Sequence, residues 1–233
     1  MWVGQFADQH SQRQCRFQSR GGTDRRKTFG PPSTRLVPRS THLRSRRTVL
    51  DMTDTVIHIP TLETPRLVLR AHKLSDIDVY AAALASERSR WMTDDRSRGH
   101  AWASFVNDVA SWSLHGFGVW AVDLKDGTPV GQTGLNQPEY FPETEIGWLL
   151  YEGHEGRGYA FEAASAALNW AWDAGFDTLV SYITPQNTRS RALAERLGAV
   201  LDPDAQLPDG ETPDETVVYR HRPDADGSPE AYA

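Results

Sequence analysis

Apolar positions recur with two distinct periods along this chain, and the points where the period changes mark out its elements. In "RLVLRAH" (66–72), Leu67 and Leu69 alternate with polar neighbours, the pattern of a half-buried strand. Ser75 then offers an N-cap for "DIDVYAAALAS", a short alanine-rich helix. In "HAWASFVNDVASWSLHG", Trp102, Phe105, Val106, Val109 and Trp112 fall at near-helical spacing, and Gly116 supplies a stop. "GVWAVDL" and "PVGQTGL" flank a "KDGT" turn, so Asp126-Gly127 predicts a hairpin. "TEIGWLLY" (144–151) reads as a further strand, followed by a glycine loop and a helix from about 158 to 174. "FDTLVSYIT" is a strand, "NTRSRALAERLG" a capped helix stopping at Gly198, and "ETVVYRH" a last strand. The order β-α-α-β-β-β-α-β-α-β contains no internal repeat. It predicts a single α/β (α+β) domain whose mixed, mostly antiparallel sheet is flanked by helices and turns parallel around the crossover helix.

The first segment departs from this patterning. Residues 1–51 show neither period and are rich in Arg, Ser, Thr and Gly, which predicts a disordered extension. They carry a net charge of +8, against −14 for residues 52–233, within a total of −6. Arg-rich, acid-poor ends also occur as organelle transit peptides or nucleic-acid arms. The plainer expectation is that the native chain starts at Met52, with a domain over 52–224 and a flexible tail at 225–233. The acidic body argues against duplex binding, which needs clustered Lys and Arg, and favours a cationic partner. One cysteine, Cys15, excludes an intramolecular disulfide framework, and eight histidines lie scattered without ligand spacing. The expected setting is reducing and cytoplasmic, with no metal.

The densest chemistry lies in "LLYEGHEGRGYAFEAASAALNWAW", where Gly153, Gly156 and Gly158 stand against the start of the best helical pattern. A P-loop is excluded because no Lys-Ser or Lys-Thr follows. A dinucleotide fingerprint is excluded because the glycines run Gly-x-x-Gly-x-Gly, the reverse order. What survives is a strand, a Gly-Arg-Gly turn and a helix. The free N–H groups of 156–160 then converge on one point, with Arg157 as a cation. A plain solvated turn is the alternative.

"ETPRLVLR" near the domain start, "EGRGYAFEA" and "PQNTRSRALAERLGA", three motifs in the expected order, resemble the GNAT superfamily of acetyl-CoA-dependent N-acetyltransferases, most closely its ribosomal-protein (Rim-type) branch. The resemblance covers about residues 60–222. It implies that Glu155, Gly156, Arg157, Gly158, Tyr159 and Ala160 hold the pyrophosphate of acetyl-CoA through backbone amides. Glu155 departs from the Gln or Arg usual at the first position. The strand 145–151 would splay from 178–184, opening a cleft for pantetheine that Leu149, Leu150 and Tyr151 contact through their backbone. Asn187 matches an asparagine set against the pantetheine arm, although Asn-Thr-Arg-Ser is also an ordinary helix cap.

The implied reaction is acetyl transfer from acetyl-CoA, by direct attack, to a primary amine of a small molecule or a protein N-terminus. A homodimer stays open. An alkylamine with a pKa of about 10 must lose a proton first, which calls for a general base. Glu145, in an apolar strand on the face of Leu149, is the candidate, its alternative being an exposed strand-edge carboxylate. The usual position of the general acid is occupied by Ala194, leaving Tyr182, Ser190 or water. The eight tryptophans read mostly as core, with Trp120 or Trp148 the candidates to wall an acceptor pocket, and His154 would be a solvated histidine beside the loop. A non-catalytic acyl-CoA sensor, or a nucleic-acid module using the basic segment, are the competing readings.

Overall fold

The computed structural model describes residues 57–223. The basic segment, the start at Met52 and the tail 225–233 lie outside the described residues. Eight strands form one sheet: β1 (Leu62–Glu63), β2 (Leu67–Arg70), β3 (Val119–Leu124), β4 (Pro129–Asn136), β5 (Glu145–Leu150), β6 (Leu179–Ile183), β7 (Val200–Leu201) and β8 (Val217–His221). Their spatial order is β1-β2-β3-β4-β5-β6-β8-β7. Four helices accompany them: α1 (Ile77–Ala85), α2 (Arg98–His115), α3 (Tyr159–Asp173) and α4 (Thr188–Arg196). Every neighbouring pair is antiparallel except β5 and β6, so the parallel junction falls at the α3 crossover. The two-residue strands β1 and β7 are too short for a period of 2 to register, and the hydrophobic pattern misses both.

Strand register sorts the side chains into two layers, because alternate residues face opposite sides of a sheet. Trp120 pairs with Thr133 and Thr133 with Trp148, so these three share one face. On that face α3 packs, Trp170 meeting Trp120 at 5.1 Å. Its inner stripe is Ala163, Ala164, Ala167, Leu168 and Ala171, all essentially buried. Small side chains let the helix lie close on the sheet. The opposite face carries Gln132, Gly134 and Asn136 of β4 beside Leu149, Gly147 and Glu145 of β5. There α2 is anchored by Asp108 to Gln132 and by Asn107 to Asn136.

Two local expectations are corrected. Ser75 does not cap α1. A 3-10 turn over Leu74–Asp76 leads into the helix, and the Asp76 carboxylate accepts from the Lys73 N–H and from Arg70. The buried face of α2 is Ala101, Phe105, Asp108 and Trp112, whereas Trp102, Val106 and Val109 are 49%, 42% and 38% exposed. The helix is thus rotated by roughly one residue, about 100°, from the face that its apolar side chains suggest. The polar contacts of Asn107 and Asp108 with β4 outweigh three apolar residues.

Close approach fixes the spacing of the central strands. A Cβ at Gly134 would fall against the Gly118 carbonyl and the Val119 backbone. Gly134→Ala is therefore expected to destabilise the fold by about 1–3 kcal/mol, measured as a lower urea midpoint with unchanged denaturant slope.

Candidate active site

β5 and β6 pair at a single register position, Glu145 with Val180, and then part. At the base of the gap, the Ser181 hydroxyl donates to the Ile146 carbonyl at 2.8 Å. With its proton so committed, Ser181 Oγ accepts from His221 Nε2 at 3.0 Å. His221 is buried, and loss of solvation pushes its pKa down to about 3, so the imidazole stays neutral. The chain His221–Ser181–Ile146 pins the two strands where they diverge.

Register also decides which backbone groups face the gap. The Tyr151 N–H bonds the Val130 carbonyl, and Thr133 Oγ1 bonds the Gly147 carbonyl. In an antiparallel pair such groups alternate. The backbone of Glu145, Gly147, Leu149 and Tyr151 thus turns to β4, and that of Ile146, Trp148 and Leu150 turns to β6. Leu149 and Tyr151, expected to offer backbone contacts, spend theirs on β4, while Leu150 keeps its own facing the gap. Trp148 is the second such residue, which motif matching alone does not find.

The gap leads to the glycine loop. Gly153, Gly156 and Gly158 have φ of 83°, 71° and 80°, in the left-handed region that favours glycine. Gly158 is the N-cap of α3, and the first intrahelical bond runs from the Glu162 N–H to the Gly158 carbonyl. The N–H groups of Tyr159, Ala160 and Phe161 therefore have no partner within the helix. Arg66 holds this loop from β2's leading edge. Its guanidinium pairs with Glu162 at 2.6 Å, donates to the Arg157 carbonyl at 2.9 Å, and lies over the Tyr159 ring. Arg88, in the 3-10 turn Glu87–Trp91, forms an ion pair with Glu155. Arg157 itself is exposed.

Glu145 is fully buried rather than an exposed strand-edge group, and no side chain hydrogen-bonds its carboxylate; the Tyr182 backbone N–H lies close enough to offset part of the cost of burial. Burial raises its pKa to about 8, with the charges of Glu211 and Asp108 adding to the effect. It belongs to a polar layer beneath α1 and α2 that the apolar pattern hides: Asp108, Gln132, Asn107, Asn136, and the Arg70–Asp76–Asp123 cluster. Asp108 is likewise pushed well up by burial. The sequence signal for these groups is an acid or amide at core spacing inside a helix or strand.

Beside this layer lies a cavity of about 220 Å³, lined by residues 90–94, by Thr184 and Gln186 after β6, and by residues of the 211–216 loop. Four carboxylates, Asp94, Glu211, Asp214 and Glu215, face it with one arginine, Arg90. Glu211 joins the cavity electrostatically to Glu145. The tryptophan on its wall is Trp91; Trp120 is core, between Trp112 and Trp170, and Trp148 is buried.

Asn187 caps α4, its Oδ1 accepting from the Ser190 N–H at 3.2 Å. Ala194 is fully buried. Tyr182 is buried against Phe141 and its hydroxyl pKa is raised by burial, which makes it a poor proton donor. His154 is half-buried rather than fully solvated. Among the described residues, no group of three His, Cys, Asp or Glu is placed to hold a metal, and no helix is long and apolar enough to cross a membrane.

The raised pKa of Glu145 has a stability consequence. Between its ordinary 4.5 and about 8 the native protein holds a proton that the unfolded chain releases. The group's contribution is therefore full below about pH 4.5 and is lost as pH rises to about 8. Glu145→Gln removes that slope. In urea titrations the variant should match wild type near pH 4.5 and become the more stable of the two toward pH 8.

The chain matches the acetyltransferase (GNAT) domain family over residues 66–200. It is similar to an acetyltransferase from Agrobacterium tumefaciens strain C58, a crystal structure 43% identical with a TM-score of 0.63, covering 72% of this chain and 96% of that one. Among curated relatives, it is 36% identical over 93 residues to the uncharacterized N-acetyltransferase YjdG of Bacillus subtilis, covering 37% of this chain and 54% of that protein. The chain spans about half the length of the curated relatives it matches. A ribosomal L7/L12 α-N-protein acetyltransferase solved with coenzyme A shares the fold at 18% identity and a TM-score of 0.53, over 72% of this chain and 100% of that one. With a family match over most of its sheet and a close structural relative along nearly the whole of that relative's length, the chain belongs to the GNAT acetyltransferase family.

Proposed function

We propose that this protein transfers an acetyl group from acetyl-CoA to a primary amine. The observation that carries the reading is the parting of β5 from β6 after one residue pair. The gap so opened runs to a loop of left-handed glycines at a helix N-terminus. An extended pantetheine arm fits beside Trp148 and Leu150, whose backbone groups are free of β4, and the pyrophosphate fits the first-turn N–H groups of α3. A structural neighbour solved with coenzyme A, and another with acetyl-CoA and AMP, bind this class of ligand.

The cavity supports a cationic acceptor, since its four carboxylates attract an ammonium group and lower the cost of desolvating it. Small polyamines, amino sugars and protein N-termini all meet this requirement. Glu145, with a pKa of about 8, exchanges a proton near neutrality and serves as the base, water carrying the proton from the cavity side where Glu211 stands. The freed nitrogen lone pair forms the N–C bond at the thioester carbonyl. The backbone N–H of Trp148 or Leu150 bonds the developing oxyanion. The C–S bond then breaks, the nitrogen gives its remaining excess proton to water, and the departing thiolate takes a proton from water, because Ala194 has none to give and Tyr182 retains its own.

Acetyl-CoA should raise the melting temperature of the wild-type protein, since a ligand bound only by the native state stabilises it. Gly158→Val forces a β-branched residue into a φ of 80° with its Cβ against Arg66, and should abolish the shift in a protein that remains folded. An unchanged shift would contradict the loop's role.

Glu145→Gln should keep coenzyme affinity and lose turnover by about 10²–10⁴-fold. Thiol release assayed over a panel of amines and N-terminal peptides is the measurement. The wild-type rate should rise with pH through an ionisation near 8 that the variant lacks. Wild-type turnover in the variant at pH 7 would remove Glu145 from the mechanism.

A further inference from the structure

The pyrophosphate loop carries an electrostatic anomaly. Glu155 and Glu162 both stand at what should be an anion cradle, where each carboxylate repels a diphosphate. Each is met by one arginine from the N-terminal half of the described chain: Glu162 by Arg66, and Glu155 by Arg88. The two arginines are committed differently. Arg66 also holds the Arg157 carbonyl, and through Glu162 it is tied to Thr64, so it is built into the loop's framework. Arg88 has a looser grip. Besides Glu155 it reaches, among the described residues, the Leu150 carbonyl at a long 3.5 Å. Both partners of the Arg88–Glu155 pair keep about a third of their side-chain surface open, 33% and 29%. The guanidinium therefore lies at the junction between the end of β5 and the glycine loop, where the gap and the anion cradle meet.

We infer that Arg88 is a coenzyme-binding residue: it supplies a guanidinium to the pyrophosphate at the cleft end of the loop, and Glu155 orients it there. This deepens the acetyl-CoA reading given above and rests on it. A guanidinium has five donors in a fixed fork, enough to keep one carboxylate and engage a phosphate oxygen together. The arrangement also accounts for the acid at position 155, which holds the cation in place from the far side. The same 3-10 turn carries Arg90 and Trp91 onto the acceptor cavity. Coenzyme engaged by Arg88 thereby steadies one wall of that cavity.

The test uses coenzyme A and pantetheine, which lacks the pyrophosphate, as paired probes in calorimetric titrations of the full chain. Arg88→Ala should weaken coenzyme A by about ten- to a hundredfold, the worth of a charge-assisted hydrogen bond, and leave pantetheine binding unchanged. Adding Glu155→Arg to Arg88→Ala returns a cation to the same place and should recover most of the lost affinity, an outcome a purely structural ion pair does not produce. Unchanged coenzyme A affinity in Arg88→Ala, equal losses for both probes, or no recovery in the double variant would each overturn the inference. If the wild-type protein binds pantetheine and coenzyme A equally, Arg88 has no pyrophosphate to engage and the inference falls alone. If it binds neither, the acetyl-CoA reading falls first.

Discussion

Parallel strands joined by a crossover helix ordinarily hydrogen-bond along their whole length, because an unpaired backbone group buried in a sheet is costly. In this fold β5 and β6 keep one residue pair and give up the rest. The cost is contained by the Ser181 bridge at the base and by the neutral His221 behind it. What remains is a row of backbone groups on Trp148 and Leu150 that β4 does not use, the Leu150 carbonyl meeting only Arg88 at a long 3.5 Å, at the strand end from which the chain turns into α3. A cleft, a polar lining and a helix N-terminus thus come together from one topological decision.

Most of the architecture was legible in the pattern of residues. The long strands, the hairpin at Asp126-Gly127 and the crossover helix all lie where the periods place them. So do the stops at Gly116 and Gly198. What escaped was whatever depends on partners distant in sequence. The orientation of α2 is set by amides and an acid that bond β4, not by its own apolar stripe. The choice of Leu150 over Leu149 depends on strand register, which one strand's sequence does not contain. The burial of Glu145 was the harder question, since an acid at the first position of a strand is as often solvated as enclosed. The answer lies in residues distant in sequence, Asp108 and Glu211 among those whose charges reach it. The cavity was not legible at all, being assembled from three segments that no hydrophobic period links.

Charge is distributed in the molecule with the same economy. The described domain is acidic, yet an anionic coenzyme has to be held, and the fold separates the two needs in space. Arginines 66 and 88 neutralise the carboxylates flanking the glycine loop, while Asp94, Glu211, Asp214 and Glu215 remain together on the cavity. On the proposed reading, the arginines serve an anionic donor and the carboxylates a cationic acceptor.

The cavity's makeup has a bearing on how such a protein changes over evolutionary time. Every residue that lines it lies outside the α-helices and the sheet: in the 3-10 turn before α2 and the residues after it, in the link after β6, or in the loop before β8. The coenzyme half, by contrast, is written into strand register and helix geometry. On the proposed reading, exchanges in the three loops can redraw which amine is accepted without disturbing the sheet and helices. The fold acts as a fixed engine with interchangeable intakes, and divergence among descendants of this chain should concentrate at those three connections.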